Sequence, residues 1–197
     1  MKFLAVVDIH GDKDLAREMA ERASNEKVDF VVICGDISSF DEHFEGIVGL
    51  FKQKVLLVPG NHDSEATISF LAEMYKGKNL EGYGYKIGDV GLFGSGSVVQ
   101  GMFQKTENEI FELLRKGANY IKDCKTKILV SHTHPSGTKM ERFSEFVHGS
   151  DGLRKAVDEL RPDIVFCSHV HEADGIEEKI GDTRIINVGR KGKVVEV

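Results

Sequence analysis

Six short, continuous apolar runs rich in β-branched residues, at 3–7, 30–34, 55–58, 90–93, 128–130 and 164–167, punctuate this chain. None alternates with polar residues, so each reads as a strand covered on both faces, and a parallel sheet flanked by helices supplies such cover. The intervening segments carry helical periodicity. From Asp41, residues Phe44, Ile47, Val48 and Phe51 share one face, and from Ser64, residues Ile68, Leu71, Ala72 and Tyr75 do the same. Thr106 and Glu109 form a capping-box pattern ahead of Ile110, Leu113 and Leu114, while Ser150 heads a helix carrying Leu153, Ala156, Val157 and Leu160 that Pro162 closes. Beyond His171 the runs 176–180, 184–188 and 193–197 alternate around glycine-rich turns, predicting an antiparallel meander. The glycine-rich stretch 82–101 lacks the Lys-Ser/Thr ending of a P-loop and predicts hairpin turns. With no repeat and no linker, residues 1–197 are expected to form one domain.

The residues at the ends of these runs are more restrictive still. Run 3–7 ends in Asp8-Ile9-His10, run 30–34 in Gly35-Asp36, run 55–58 in Pro59-Gly60-Asn61-His62-Asp63, run 128–130 in Ser131-His132, and run 164–167 in Ser168-His169-Val170-His171. In open α/β sheets the carboxyl ends of the strands form the binding crevice, so residues far apart in sequence converge there. Each motif alone fits a turn or a helix cap; together they bury many ionisable groups in one place, which is costly without a cation. In the extended Ser168-His169-Val170-His171 segment, alternate side chains point the same way, aiming both imidazoles at one ion. Two aspartates, an asparagine and four or more histidines make a mixed nitrogen and oxygen donor set. That set suits Mn²⁺, the first choice here, or Fe, Zn²⁺, Co²⁺ or Ni²⁺, and not Ca²⁺ or Cu(I). Seven ligands exceed the needs of one ion and match a pair sharing a carboxylate.

Composition removes several alternatives. Twenty-six basic against 32 acidic residues leave a net charge of −6, which disfavours nucleic acid as the main partner. The 3–7 run is stopped by Asp8, far short of the roughly 20 residues of a membrane span, so no membrane association is expected. Cys34, Cys124 and Cys167 form no CxxC pair and read as buried small hydrophobes in a reducing cytoplasm. Neither His43 nor His148 carries a strong site argument; His43 reads as a surface or loop residue, and His134 as a rim neighbour of His132.

The ordered set Asp8-x-His10, Gly35-Asp36, Gly60-Asn61-His62-Asp63, His132 and Ser168-His169-Val170-His171 resembles the calcineurin-like metallophosphoesterase superfamily over positions 8–171. The resemblance implies a four-layer α/β/β/α sandwich with two mixed β-sheets and the site at strand carboxyl ends. It implies that Asp8, His10 and His171 hold a first divalent ion, that Asn61, His132 and His169 hold a second, and that Asp36 bridges them. His62 would be the catalytic, non-ligating histidine, with Asp63 orienting it or else capping the helix at Ser64. Hydrolysis of a small phosphate ester by in-line attack of a metal-bridging hydroxide is the activity that set implies. Phosphodiesters, cyclic nucleotides among them, are favoured by similarity of the 147–150 and 168–172 segments to compact members of the superfamily. Ser168 departs from the usual glycine, a small-for-small change. The segment after Asp36 lacks the Asp-Arg-Gly of protein phosphatases, which argues against a phosphoprotein substrate. No large insertion points to a nuclease. The competing readings are a nuclease or phosphomonoesterase and a non-catalytic metal-binding interaction scaffold of the same fold.

Overall fold

The computed structural model describes residues 1–96, 98–144 and 146–197. In the first sheet β1 (Lys2–Val6), β2 (Phe30–Cys34), β3 (Lys54–Val58) and β4 (Lys78–Asn79) run parallel, and β11 (Lys193–Glu196) pairs antiparallel with β1, in the order β11-β1-β2-β3-β4. The second sheet is β5-β6-β7-β8-β10-β9, built from β5 (Gly84–Ile87), β6 (Val90–Gly94), β7 (Thr126–Val130), β8 (Ile164–Cys167), β9 (Glu177–Ile180) and β10 (Thr183–Asn187). Its inner strands β6, β7, β8 and β10 are parallel, while β5 and β9 add on antiparallel at the edges.

The period-two geometry of a strand sends successive side chains to opposite faces. Phe3, Ala5, Phe30, Val32, Leu56 and Val58 of the first sheet therefore meet Leu92, Ile128, Val130, Phe166 and Ile186 of the second in a dry inter-sheet core. Leu4, Val6, Val31, Ile33 and Leu57 point the other way, onto α1 (Lys13–Asn25) through Ala16, Met19, Ala20 and Ala23 and onto α2 (Glu65–Met74) through Ile68 and Leu71. On the far side Phe93, Leu129, Val165 and Ile185 receive Ile110 and Leu114 of α3 (Glu107–Asn119) and Leu153, Ala156 and Val157 of α4 (Asp151–Leu160). Helix, sheet, sheet and helix stack as the expected four-layer sandwich. Each fully buried Leu, Ile or Phe contributes roughly 1.5–3 kcal/mol, so the three hydrophobic layers fix the mutual position of the strand ends.

Several expectations are corrected. The helix expected from Asp41 is absent, and only a single 3-10 turn forms, at Val48–Leu50. Phe40, Asp41, His43 and Gly46 have φ of 54°, 59°, 60° and 79°, left-handed values that interrupt a right-handed helix, although Ile47, Val48 and Phe51 still reach the core. The C-terminal strands are not a meander either. β9 and β10 form an antiparallel hairpin, but β10 lies parallel to β8 and β11 crosses to the first sheet. In the 82–101 stretch the β5–β6 hairpin is present; Ser97 lies outside the described residues. Helix α1 and strand β4 are additional elements.

The N-termini of α3 and α4 meet at Gly152. A Cβ there would lie 2.1 Å from the Glu107 carbonyl oxygen, while the Glu107 carboxylate accepts from Gly152 N at 2.7 Å and Ser150 Oγ at 2.6 Å. In an ordinary helix interior alanine is favoured over glycine by about 0.5–1 kcal/mol. Gly152→Ala is expected to reverse that sign and destabilise by about 1–3 kcal/mol in urea unfolding, because backbone must move to admit the methyl group. A variant more stable than the parent would show that the two helix ends do not touch.

Candidate metal centre

The parallel strands bring the sequence motifs together. β1 delivers Asp8 and His10, β2 delivers Asp36, β3 delivers Asn61 and His62, β7 delivers His132, and β8 delivers His169 and His171. Backbone hydrogen bonds lace these loops to one another: His10 N donates to Asp36 O at 2.9 Å, Asp41 N to His62 O at 3.0 Å, and Ser168 N to His132 O at 2.8 Å. Glycine is required where two of them cross, since a Cβ on Gly60 would lie 2.0 Å from Asp36 Oδ1. Four of the candidate ligands, Asp8, His10, Asp36 and His169, hold φ of 52°, 47°, 52° and 70°. Such left-handed non-glycine positions cost about 1–3 kcal/mol each and persist only where the surroundings over-determine them.

Asp36 lies at the middle. Its Oδ2 is 3.5 Å from His10 Nε2 and 3.5 Å from His132 Nε2, and its Oδ1 accepts from His62 N at 2.9 Å. On one side, Asp8 Oδ2 is 3.4 Å from His171 Nε2, and Asp8, His10 and His171 form a cluster of cation-binding geometry. On the other, His132 Nε2 is 2.9 Å from Asn61 Oδ1 and 3.2 Å from His169 Nδ1. His132 Nδ1 donates to the Cys34 carbonyl at 3.0 Å, so Nε2 is the nitrogen it offers to a metal ion. All seven predicted ligand residues therefore converge. A cation fits: Asp8 Oδ1 is buried without a hydrogen-bond partner, and oxygen and nitrogen lone pairs face one another across the site.

The electrostatics show the same mutual dependence. Burial pushes the Asp8 carboxyl up, but hydrogen bonds from His171 and Ser168 and the charge of His132 outweigh it and hold it at about 2. Burial also opposes charge on His132, yet Asp36 and Asp8 raise it above the ordinary histidine value. His171 is raised by its hydrogen bond to Asp8. His10 is lowered by burial despite both carboxylates, and His169 is driven down to about 3 by burial and by neighbouring His132.

A family profile described as calcineurin-like phosphoesterase matches residues 1–173. The chain belongs to this family. Its metal dependence agrees with the donor clusters. Among curated proteins no sequence match is found. Among solved structures, TT1561 of Thermus thermophilus is similar at 14% identity, with 98% of this chain and 97% of that one covered and a TM-score of 0.75. A dimetal phosphatase from Danio rerio is similar at 14% identity, 96% and 87% coverage and a TM-score of 0.64. An archaeal phosphodiesterase is similar at 16% identity, 96% and 84% coverage and a TM-score of 0.56. At these identities the likeness is one of fold. No helix among the described residues of this phosphoesterase is long and apolar enough to cross a membrane.

Three residues depart from their expected places. Asp63 neither orients the His62 ring nor caps α2, whose N-cap is Ser64. Its buried carboxylate accepts from Ile37 N at 3.1 Å, Ser38 N at 2.8 Å, Ser38 Oγ at 2.7 Å and Gly60 N at 3.0 Å, tying the Asp36 loop to the Asn61 loop. Burial raises its pKa, with the Ser38 and Gly60 donors pulling the other way. His134 is fully buried, not on the rim; both ring nitrogens lack partners, and burial lowers it to about 4. Ser168 does more than fill a glycine's place, because its hydroxyl donates to Asp8 Oδ2 at 2.7 Å. His43 is exposed as expected, His148 is exposed too, and the three cysteines are free and buried.

Sequence reasoning also missed Glu81, a fully buried carboxylate that accepts from Gly96 N at 2.6 Å and pairs with Lys105 at 3.0 Å. The Gly96 carbonyl in turn accepts from His132 N at 3.2 Å, so Glu81 helps to hold a ligand loop. A lone glutamate between two glycine-rich turns carries no motif that would have found it.

Asp63→Ala should act on the scaffold of the centre. It removes the acceptor of four donors, and because a donor stranded in a buried site costs about 1–3 kcal/mol, a loss of roughly 2–4 kcal/mol in urea unfolding is expected. Metal affinity should fall with it. Unchanged stability with lost turnover would return Asp63 to a purely chemical role.

Proposed function

We propose that this phosphoesterase is a dinuclear, metal-dependent phosphodiesterase of small phosphate esters, acting as one domain in the cytoplasm. The observation that carries the reading is Asp36 Oδ2, equidistant at 3.5 Å from His10 Nε2 and His132 Nε2, between a cluster of Asp8, His10 and His171 and a cluster of Asn61, His132 and His169. The fold likeness to a dimetal phosphatase and an archaeal phosphodiesterase supports it. Two divalent ions, Mn²⁺ by preference, would lower the pKa of water and offset charge on the phosphoryl oxygens.

The chain's own residues perform the rest. Asp8, Asp36 and the five other ligand side chains would hold those two ions. His62 lies beside them, with Nε2 4.0 Å from Asp36 Oδ2 and its side chain 21% exposed, close enough to the surface to reach a bound ester. It is suited to carry a proton to the leaving oxygen. A diester monoanion asks for that proton and for little cationic help beyond the metals. A monoester dianion would want Lys or Arg beside the phosphoryl group, and among the described residues none pairs with Asp8 or Asp36. The three buried thiols support a reducing compartment.

Protein stripped with chelator should lose hydrolysis of bis(p-nitrophenyl) phosphate and regain it with Mn²⁺ at two ions per chain; one ion per chain in fully active protein removes the bridging role of Asp36. Asp36→Ala should lose more metal than Asn61→Ala, since it removes an anion shared by both clusters. His62→Gln should keep both ions and lower turnover of diesters with poor leaving groups by roughly 10² to 10⁴. Because His62 also stands within ligand distance of His10 and Asp36, loss of an ion in His62→Gln would make it a ligand instead.

A further inference from the structure

The loop after β2 presents an aromatic ring that the metal chemistry leaves unused. Phe40 is 56% exposed, and its ring centroid lies 4.2 Å from that of His62 at an interplanar angle of 51°. The imidazole lies against the ring at a tilt, and more than half of the residue is open to solvent. A phenylalanine in the water beside a highly polar centre gains nothing from burial, and its φ of 54° is a conformation that a bulky side chain rarely adopts.

The surrounding loop holds it there. Asp41 N donates to His62 O at 3.0 Å and to Ser38 Oγ at 3.1 Å, Asp41 Oδ1 accepts from Ser64 N at 2.8 Å, and Ser39 N donates to Glu42 O at 3.0 Å. An unfavourable backbone conformation is thus maintained by the hydrogen bonds of Asp41 and Ser39, and the exposed ring is held beside His62. The residues around it, Asp41 and Glu42, are acidic, so this edge of the site does not attract the phosphate itself.

We propose that Phe40 determines substrate specificity: its open face is a stacking platform for a flat aromatic group of the ester, a nucleobase or an aryl leaving group, placed next to His62. The inference rests on the phosphodiesterase reading above and narrows it to aromatic over alkyl esters. Stacking of a base on an aromatic side chain is sequence-tolerant and strong enough to change affinity by roughly 10- to 100-fold.

The test compares Mn²⁺-loaded wild type with Phe40→Ala and Phe40→Trp, all with metal content verified. Calorimetric titration with adenosine monophosphate and ribose 5-phosphate reads binding directly. Wild type should bind the nucleotide roughly 10- to 100-fold more tightly, Phe40→Ala should bring the two within about threefold, and Phe40→Trp should restore the preference. In hydrolysis, kcat/KM for bis(p-nitrophenyl) phosphate and for a cyclic nucleotide, each relative to glycerophosphoethanolamine, should fall about tenfold or more in Phe40→Ala, chiefly through KM. Using the change on substitution removes the intrinsic advantage of aryl leaving groups. A fall in only one of those two ratios would identify which aromatic group the platform serves. Equal losses for aromatic and alkyl ligands, centred on kcat, would mean that Phe40 merely holds His62 and would overturn the proposal, as would a wild type indifferent to the base. Wild type that hydrolyses neither aryl nor alkyl diesters would instead overturn the phosphodiesterase reading.

Discussion

Two carboxylates kept out of water, Asp8 at 0% and Asp36 at 3% exposure, govern this molecule. A buried carboxylate must be answered by donors or cations, and at this edge of the sandwich nearly every nearby polar group does so. Ser168 and His171 face Asp8; the His62 amide, His10 and His132 face Asp36. Because the answering groups are supplied by four strand ends, those of β1 and β3 in one sheet and of β7 and β8 in the other, the charges can be compensated only if both sheets are correctly stacked. The polar site and the apolar layers are therefore parts of a single constraint.

That coupling explains why supporting residues lie so deep. Asp63 joins the Asp36 and Asn61 loops, and Glu81 holds the Gly96 turn on which the His132 backbone rests. Neither carboxylate belongs to the donor clusters; each fixes the backbone from which a candidate ligand side chain departs. A candidate ligand displaced by a fraction of an ångström would weaken the cluster it belongs to, so such anchoring has functional weight.

Much of this was legible from residue order, because buried parallel strands leave continuous apolar runs and the site lies where they stop. β2 and β8 fall on the residues the apolar runs mark, and all seven candidate ligand side chains meet where strand ends predict. Local patterns failed where tertiary contacts prevailed. Phe44, Ile47, Val48 and Phe51 have helical spacing, yet bonds from Asp41 to His62 and Ser64 hold their segment in left-handed turns. Helix α1 escaped notice because its buried face is mostly alanine, Ala16, Ala20 and Ala23 around Met19, which gives shallow periodicity. The crossing of β11 to the first sheet has no local signal, since its partner β1 lies at the opposite end of the chain. The hydroxyl of Ser168 and the carboxylate of Glu81 are single residues whose roles depend on partners distant in sequence.

The left-handed backbone at Asp8, His10, Asp36 and His169 narrows the evolutionary routes open to this site. Aspartate and histidine are among the few non-glycine residues that tolerate that conformation, and they are also residues that bind divalent ions. Two independent demands, conformational and chemical, thus draw on the same short alphabet. Glutamate at position 36 would keep the charge of Asp36 but lose the short side chain that suits the turn. A descendant released from holding ions could accept glycine at these four positions and gain stability by doing so, so loss of catalysis in such a lineage would be accompanied by a sturdier fold and would be hard to reverse.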